Sequence, residues 1–252
     1  MAGVRKLTAR EAFDDNLGDA EALLAVVRAL ENRRVRRMRR ELRERLGSAL
    51  GISKRDWDDL DCIESNDLFA VFKPGSQVDR ESISEPNLRP LLRQAVVAAC
   101  AAVETFVGDR TMERLRSALD ADPRPTRLLD LPMTVEDWLN IDESYERKRW
   151  GLREVVELEV RRLASPAPSQ IGVTLGIVGE KKLWRRVDRR RSVTTGSSEA
   201  ELTRIYERRN RIAHQGDRSG RGRAAISADE VERDLASIVD IVDAIDKETR
   251  AP

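Results

Sequence analysis

His214 is the only histidine among 252 residues. It stands in the run Glu207-Arg-Arg-Asn-Arg-Ile-Ala-His-Gln-Gly-Asp217, five residues after Arg209 and four after Asn210. Set against 46 Lys/Arg and 45 Asp/Glu, this imidazole is the one side chain that titrates unperturbed near neutral pH. A base, a cation and an amide at this spacing suit work at a phosphodiester, where a proton is moved and anionic oxygens are held. The bland alternative is an idle surface or core histidine. Between residues 181 and 223 there are 14 Lys/Arg and 5 Asp/Glu, in a chain whose net charge is +1. The balanced total excludes a global pull toward nucleic acid or membrane. The local excess around the imidazole is a phosphate-binding surface in the making.

On an ideal helix, Arg209 falls in the middle of the apolar stripe formed by Leu202, Ile205, Tyr206, Ile212 and Ala213, while Arg208 and Arg211 point outward. A guanidinium in such a stripe requires a carboxylate, a phosphate or a subunit boundary. Asn210 and His214 lie side by side on the flank, so the amide is placed to orient the ring. Arg209 and His214 lie about 140° apart. Either the helix distorts toward Gly216, or two copies converge across a twofold axis. The second option also supplies two imidazoles, one for the acid and one for the base.

The elements that must carry these residues are helical. Hydrophobic residues make up 40% and charged residues 36%, aromatics only 4%; Leu, Ala, Arg and Glu dominate, all strong helix formers. The fold class is therefore all-α, a single domain over 1–252, with 1–80 as an N-terminal extension and 88–248 as the core. Periodicity predicts one helix over 17–46, whose second half, Arg33 to Arg40, is very basic and mostly a solvated face. The acidic segment 56–67 reads as an exposed turn or short helix, and Lys73-Pro-Gly-Ser76 as a break. Leu88–Val107 is the most apolar helix, and Glu104 is its only acid. Arg93 and Glu104 share a face but lie about 16 Å apart along the axis, so each needs a partner on another helix; Arg209 is the candidate for Glu104.

Thr134 and Asp137 predict a helix cap, followed by a helix over 135–164 interrupted at Gly151. Residues 170–179 form a short helix, 181–191 a basic helix, 199–215 the motif helix stopped by Gly216, and 218–223 a Gly/Arg loop. Ser227-Ala-Asp-Glu230 opens a last helix whose seam is Val231, Leu235, Ile238, Val242 and Ile245. Cys62 and Cys100 are isolated, without metal-ligand spacing, so neither a metal nor another cofactor is expected. With no signal peptide or long apolar span, the expectation is a cytoplasmic protein with no membrane partner.

The segment 207–217 resembles the signature of the HEPN superfamily, an arginine followed within a few residues by histidine, here in the Arg209-Asn210 form. The chain is most similar to the RiboL-PSP-HEPN branch: an apolar helix ending Ala101-Ala-Val-Glu-Thr-Phe106, then Ile171-Gly-Val-Thr-Leu-Gly-Ile177, the Trp-bearing Lys182-Leu-Trp184, the motif and a final helix. The likeness spans roughly 88–248. It implies an antiparallel helical bundle that dimerises and joins two motifs in one cleft. It further implies metal-independent endoribonuclease action, in phage defence or toxin systems, with an antitoxin or defence-system partner. Carried over, Arg209 and His214 are catalytic, with Asn210 and Glu104 as supporting site residues. Arg93, Arg208, Arg211 and Arg218 are candidates for RNA contact. The basic 33–45 and acidic 56–67 segments depart from that pattern. Two other readings stand beside this one: a catalytically silent HEPN module for nucleic-acid binding or scaffolding, and a helical regulator in which His214 only caps its helix.

Overall fold

The computed structural model describes residues 6–31, 33–35, 38–146 and 148–250. The fold is all-α, with ten helices and a few very short strands among these residues. They fall into two compact units that do not follow chain order: one comprises the described residues of 6–20, 96–224 and 233–250, the other those of 21–95 and 225–232. The helices α1 (Ala9–Glu31), α3 (Glu85–Asp120) and α10 (Ala228–Thr249) each supply residues to both.

The larger unit carries the motif. Thr8 and Glu11 open α1 with reciprocal bonds: Thr8 N–H donates to the Glu11 carboxylate (2.8 Å) and Glu11 N–H to the Thr8 hydroxyl (3.2 Å). Phe13 packs edge-on against Phe106 of α3, with ring centroids 6.0 Å apart. The α3 residues Val96, Ala99, Cys100, Val103, Phe106 and Val107 are buried. By length and composition α3 would suffice to cross a bilayer, but 56% of its most apolar window lies inside the fold. Its buried Arg110 pairs with Asp246 of α10 and with Glu113 (2.8 Å), so that charge is compensated where it is desolvated.

Between α3 and the motif lie the short α4 (Thr126–Leu129) and the helices α5 (Val135–Ser144), α6 (Lys148–Leu163) and α7 (Pro168–Ile177). Leu115 and Ala118 of α3 form one cluster with Leu128, Val156, Val160, Ile177 and Val178. The Thr134 cap is present as a full capping box with Asp137. The helix expected over 135–164 breaks at Tyr145 and Glu146 rather than at Gly151. Gly151 instead lets α6 approach α5: a Cβ there would come within 2.8 Å of Ile141 and Tyr145. The 170–179 stretch is helical, as α7.

The smaller unit corrects one expectation and the second half of another, since the short helix expected in the acidic segment is present but gives way to a strand. The single helix over 17–46 is replaced by α1, the strand β1 (Arg34–Val35) and α2 (Arg40–Ala49). The physical reason is the run of like charges after Arg33, which repel at i,i+4 in a helix. Arg36 and Arg37 lie outside the described residues. The acidic segment is a 3₁₀ helix (Lys54–Asp59) followed by strand β2 (Asp61–Glu64), which pairs antiparallel with β1 and with β3 (Phe69–Phe72). Met38, Leu60 and Cys62 centre a small core there.

Candidate functional site

Helix α9 (Ser197–Gln215) holds the motif and owes its position to α8 (Leu183–Arg191). The residue before α9 is Gly196, which has no side chain to cap the exposed N–H groups. Asp188 of α8 does this instead, accepting from Gly196 N–H (2.7 Å) and Ser198 N–H (3.0 Å). Burial pushes the Asp188 carboxyl up, but the Ser198 hydroxyl and N–H, the Gly196 N–H and the Arg191 charge outweigh it and hold it below the ordinary value. Arg191 fans out to the Ser198 hydroxyl (2.8 Å), Glu201 (3.0 Å) and Asp240 of α10 (2.7 Å). Leu202, Ile205 and Ile212 bury the stripe, and the buried Asp234 of α10 takes Arg204.

The helix is α-helical through Gln215 and ends at Gly216, which lies in the left-handed region at φ 60°. Asp217, also left-handed, donates its N–H to the Arg211 carbonyl (2.9 Å) and feeds the hairpin of β4 (Arg218–Ser219) and β5 (Gly222–Arg223), where a loop was expected. Asp217 is fully buried and accepts from Arg208 (2.9 Å). This corrects the outward orientation expected of Arg208. Its side chain is only 12% exposed, because the carboxylate that draws it in lies beyond the helix end. Arg211 and Arg218 are exposed, as expected of RNA-contact candidates.

Arg209 is half-buried in the stripe. Its Nη1 donates to the Asn210 side-chain oxygen (3.1 Å), and its buried Nε meets no acceptor. Among the described residues it forms no ion pair, so the expected Arg209–Glu104 pair is absent. Glu104 is half-buried on α3, one turn from Cys100. Burial pushes the Cys100 thiol up to about 12; the Arg209 charge pulls it down and those of Asp234 and Glu104 push it further up. The thiol thus feels Arg209 from α9 and Glu104 from α3 together. Arg93 is 5% exposed and belongs to the smaller unit; burial removes it as a contact for RNA from the open surface.

His214 is exposed in the last turn of α9 and, among the described residues, makes no hydrogen bond. Asn210 is turned to Arg209 rather than to the ring, which corrects its expected orienting role. Since α9 stays regular to Gln215, Arg209 and His214 remain on different faces of one helix. The distortion that would bring them together within one chain does not occur. No set of three or more His, Cys, Asp or Glu side chains among the described residues is disposed to hold a metal ion.

Sequence reasoning missed the framework around α9: Asp188, Arg191 and Asp217. Its only local signal is Gly196, a helix start with no cap of its own. No protein-family model matches the chain, and neither a curated protein nor a solved structure is significantly similar to it.

Proposed function

We propose that the protein is a metal-independent endoribonuclease of the HEPN type, working as a homodimer whose two motifs form one site in the cytoplasm, in a toxin or phage-defence setting. One observation carries this reading. A well-anchored helix presents the chain's sole imidazole to solvent and, on another face, a half-buried arginine that pairs with no carboxylate among the described residues. An uncompensated guanidinium at this depth is costly in a resting protein. It is useful where a phosphate arrives. In the reaction, His214 of one protomer takes the proton of a ribose 2′-OH. The freed oxygen attacks phosphorus, forming the 2′,3′-cyclic phosphate, and the P–O5′ bond breaks. Arg209 stabilises the charge of the phosphorane. His214 of the second protomer gives a proton to the leaving O5′, so acid and base are two copies of one residue. Asn210 holds Arg209, Glu104 supplies a carboxylate nearby, and the exposed Arg211 and Arg218 bind the strand; Arg208 serves the framework through Asp217.

The competing reading is a catalytically silent HEPN module. Its support is that His214 has no orienting hydrogen bond in a single chain. Incubating purified protein with total cellular RNA in EDTA, beside a His214→Ala control, separates the two. Cleavage by the wild type alone, leaving cyclic-phosphate and 5′-hydroxyl ends, is expected. Intact RNA, from a protein shown to be dimeric, favours the silent module.

A further inference from the structure

The larger unit holds a second basic site that contains none of the motif residues. It is an open cleft of about 950 Å³ between the end of α3, α4, α7 and the start of α8. Six cations line it (Arg114, Arg124, Arg127, Lys181, Lys182 and Arg185) against the two carboxylates Glu180 and Glu199. Lys181, Lys182 and Arg185 are exposed. Arg114 is different. Its side chain is 19% exposed, its buried Nε and Nη1 meet no acceptor in the protein, and its nearest carboxylate, Glu180, stands 3.9 Å away. That distance is too long for a hydrogen bond. Glu180 itself is engaged by Arg186 of α8. Arg114 thus shares Glu180 with Arg186 and keeps two buried nitrogens without an acceptor, beside a cleft already rich in positive charge.

The wall also carries an aromatic side chain, Trp184. On α7, Gly172 and Gly176 stand one turn apart and leave room for neighbouring side chains. A Cβ on Gly176 would meet Arg127 Cδ at 2.9 Å, and one on Gly172 would reach Trp184 Nε1 at 4.0 Å. These glycines seat the Arg127 side chain and the Trp184 indole on the helix. The Trp184 N–H is satisfied by the Pro168 carbonyl (3.1 Å), which fixes the ring in the cleft wall. Cations beside an indole are the two ingredients of nucleotide binding: charge for phosphate and an aromatic face for a base. The volume is in the range of small-molecule sites.

We propose that this cleft binds a phosphorylated nucleoside, with Arg114, Arg127 and Lys182 on the phosphates and Trp184 on the base. The source is a free nucleotide or the 5′-phosphorylated end of an RNA strand, which share this chemistry. The proposal does not rest on the ribonuclease reading, and a His214→Ala background keeps the two separable because any strand then stays whole. In that background, ATP binding is measured by calorimetry, and a fluorescein-labelled, 5′-phosphorylated RNA ten-mer by anisotropy. ATP is expected to bind with a Kd below about 100 μM. Lys181→Glu with Lys182→Glu, on exposed side chains, should weaken it at least tenfold, and so should Arg114→Gln. Displacement of the ten-mer by ATP would show that free nucleotide and strand end share the cleft. A ten-mer that ATP cannot displace, yet that the same variants release, would assign the cleft to the strand end. Failure of both probes to bind, or binding that neither the double lysine variant nor Arg127→Gln alters, overturns the proposal.

Discussion

At the N-terminal end of α9, Asp188 caps two backbone N–H groups while Arg191 reaches Ser198, Glu201 and Asp240, and Ser237 donates to the remaining Glu201 oxygen (2.5 Å). At the C-terminal end, Arg209 spends one N–H on its own neighbour and leaves a buried Nε without an acceptor, and His214 faces water. The same helix therefore ends in a saturated network at one side and an unsaturated one at the other. Polar groups that hold a fold together are almost all paired. A buried Nε without an acceptor recurs at Arg43, Arg110, Arg186 and Arg208, so what sets Arg209 apart is that it alone of these has no ion pair among the described residues. The contrast narrows to two adjacent residues: Arg208, neutralised by buried Asp217, and Arg209, which pairs with no carboxylate among the described residues.

The largest effect expected at the unsaturated end is on chemistry. His214→Ala should lower RNA cleavage at least about 100-fold, the scale of a lost general acid or base, with no change in urea midpoint. Cleavage that survives the substitution would end the ribonuclease assignment of this residue, whatever the protein's stability.

At the saturated end the effect is on stability alone. Asp188→Ala strips two N–H groups of their acceptor, and a loss of about 2 kcal/mol in urea unfolding is expected. The pH dependence has a definite sign. Because the folded carboxyl titrates below its ordinary value, its contribution is fully present at neutral pH. It is lost only as pH falls below about 4, through the folded value. Wild-type stability should therefore fall more steeply than that of Asp188→Ala in that window; parallel curves would show that Asp188 is not the group that titrates.

Arg208→Ala belongs with this class although it sits at the other end. It leaves the buried Asp217 carboxylate without its guanidinium, and about 2 kcal/mol of destabilisation is expected. A silent substitution would mean that the hairpin after α9 holds Asp217 unaided.

How much of this was legible in sequence depends on how local its causes are. The Thr134–Asp137 box, the Gly216 stop and the buried seam of α10 are written in neighbouring residues, and the structure has all three. The half-burial of Arg209 followed from the stripe alone. Strands β2 and β3 did not, because four acidic-flanked residues become a strand only through Cys62 opposite Val71 and Ile63 opposite Ala70. The inward turn of Arg208 was hidden for the same kind of reason. It depends on two consecutive left-handed residues, Gly216 and Asp217, that swing a carboxylate back. Arg114 and Arg127 meet Lys182 across more than fifty residues of chain, a juxtaposition no spacing rule contains.

The smallest effect is expected at Arg209, and it is the sharpest test of the comparison. Arg209→Met keeps the length and the apolar stem and deletes only the charge. A half-buried cation with no carboxylate partner contributes little to folding, since its desolvation offsets the packing it provides. Urea unfolding of Arg209→Met should thus lie within about 1 kcal/mol of wild type, on either side. RNA cleavage should fall sharply in the same protein, because the lost charge is the one that meets the phosphorane. Were Arg209→Met instead to destabilise the fold as much as Arg208→Ala, the guanidinium would have a structural partner after all. The two neighbouring arginines would then be framework alike, and the division between the ends of α9 would lose its meaning.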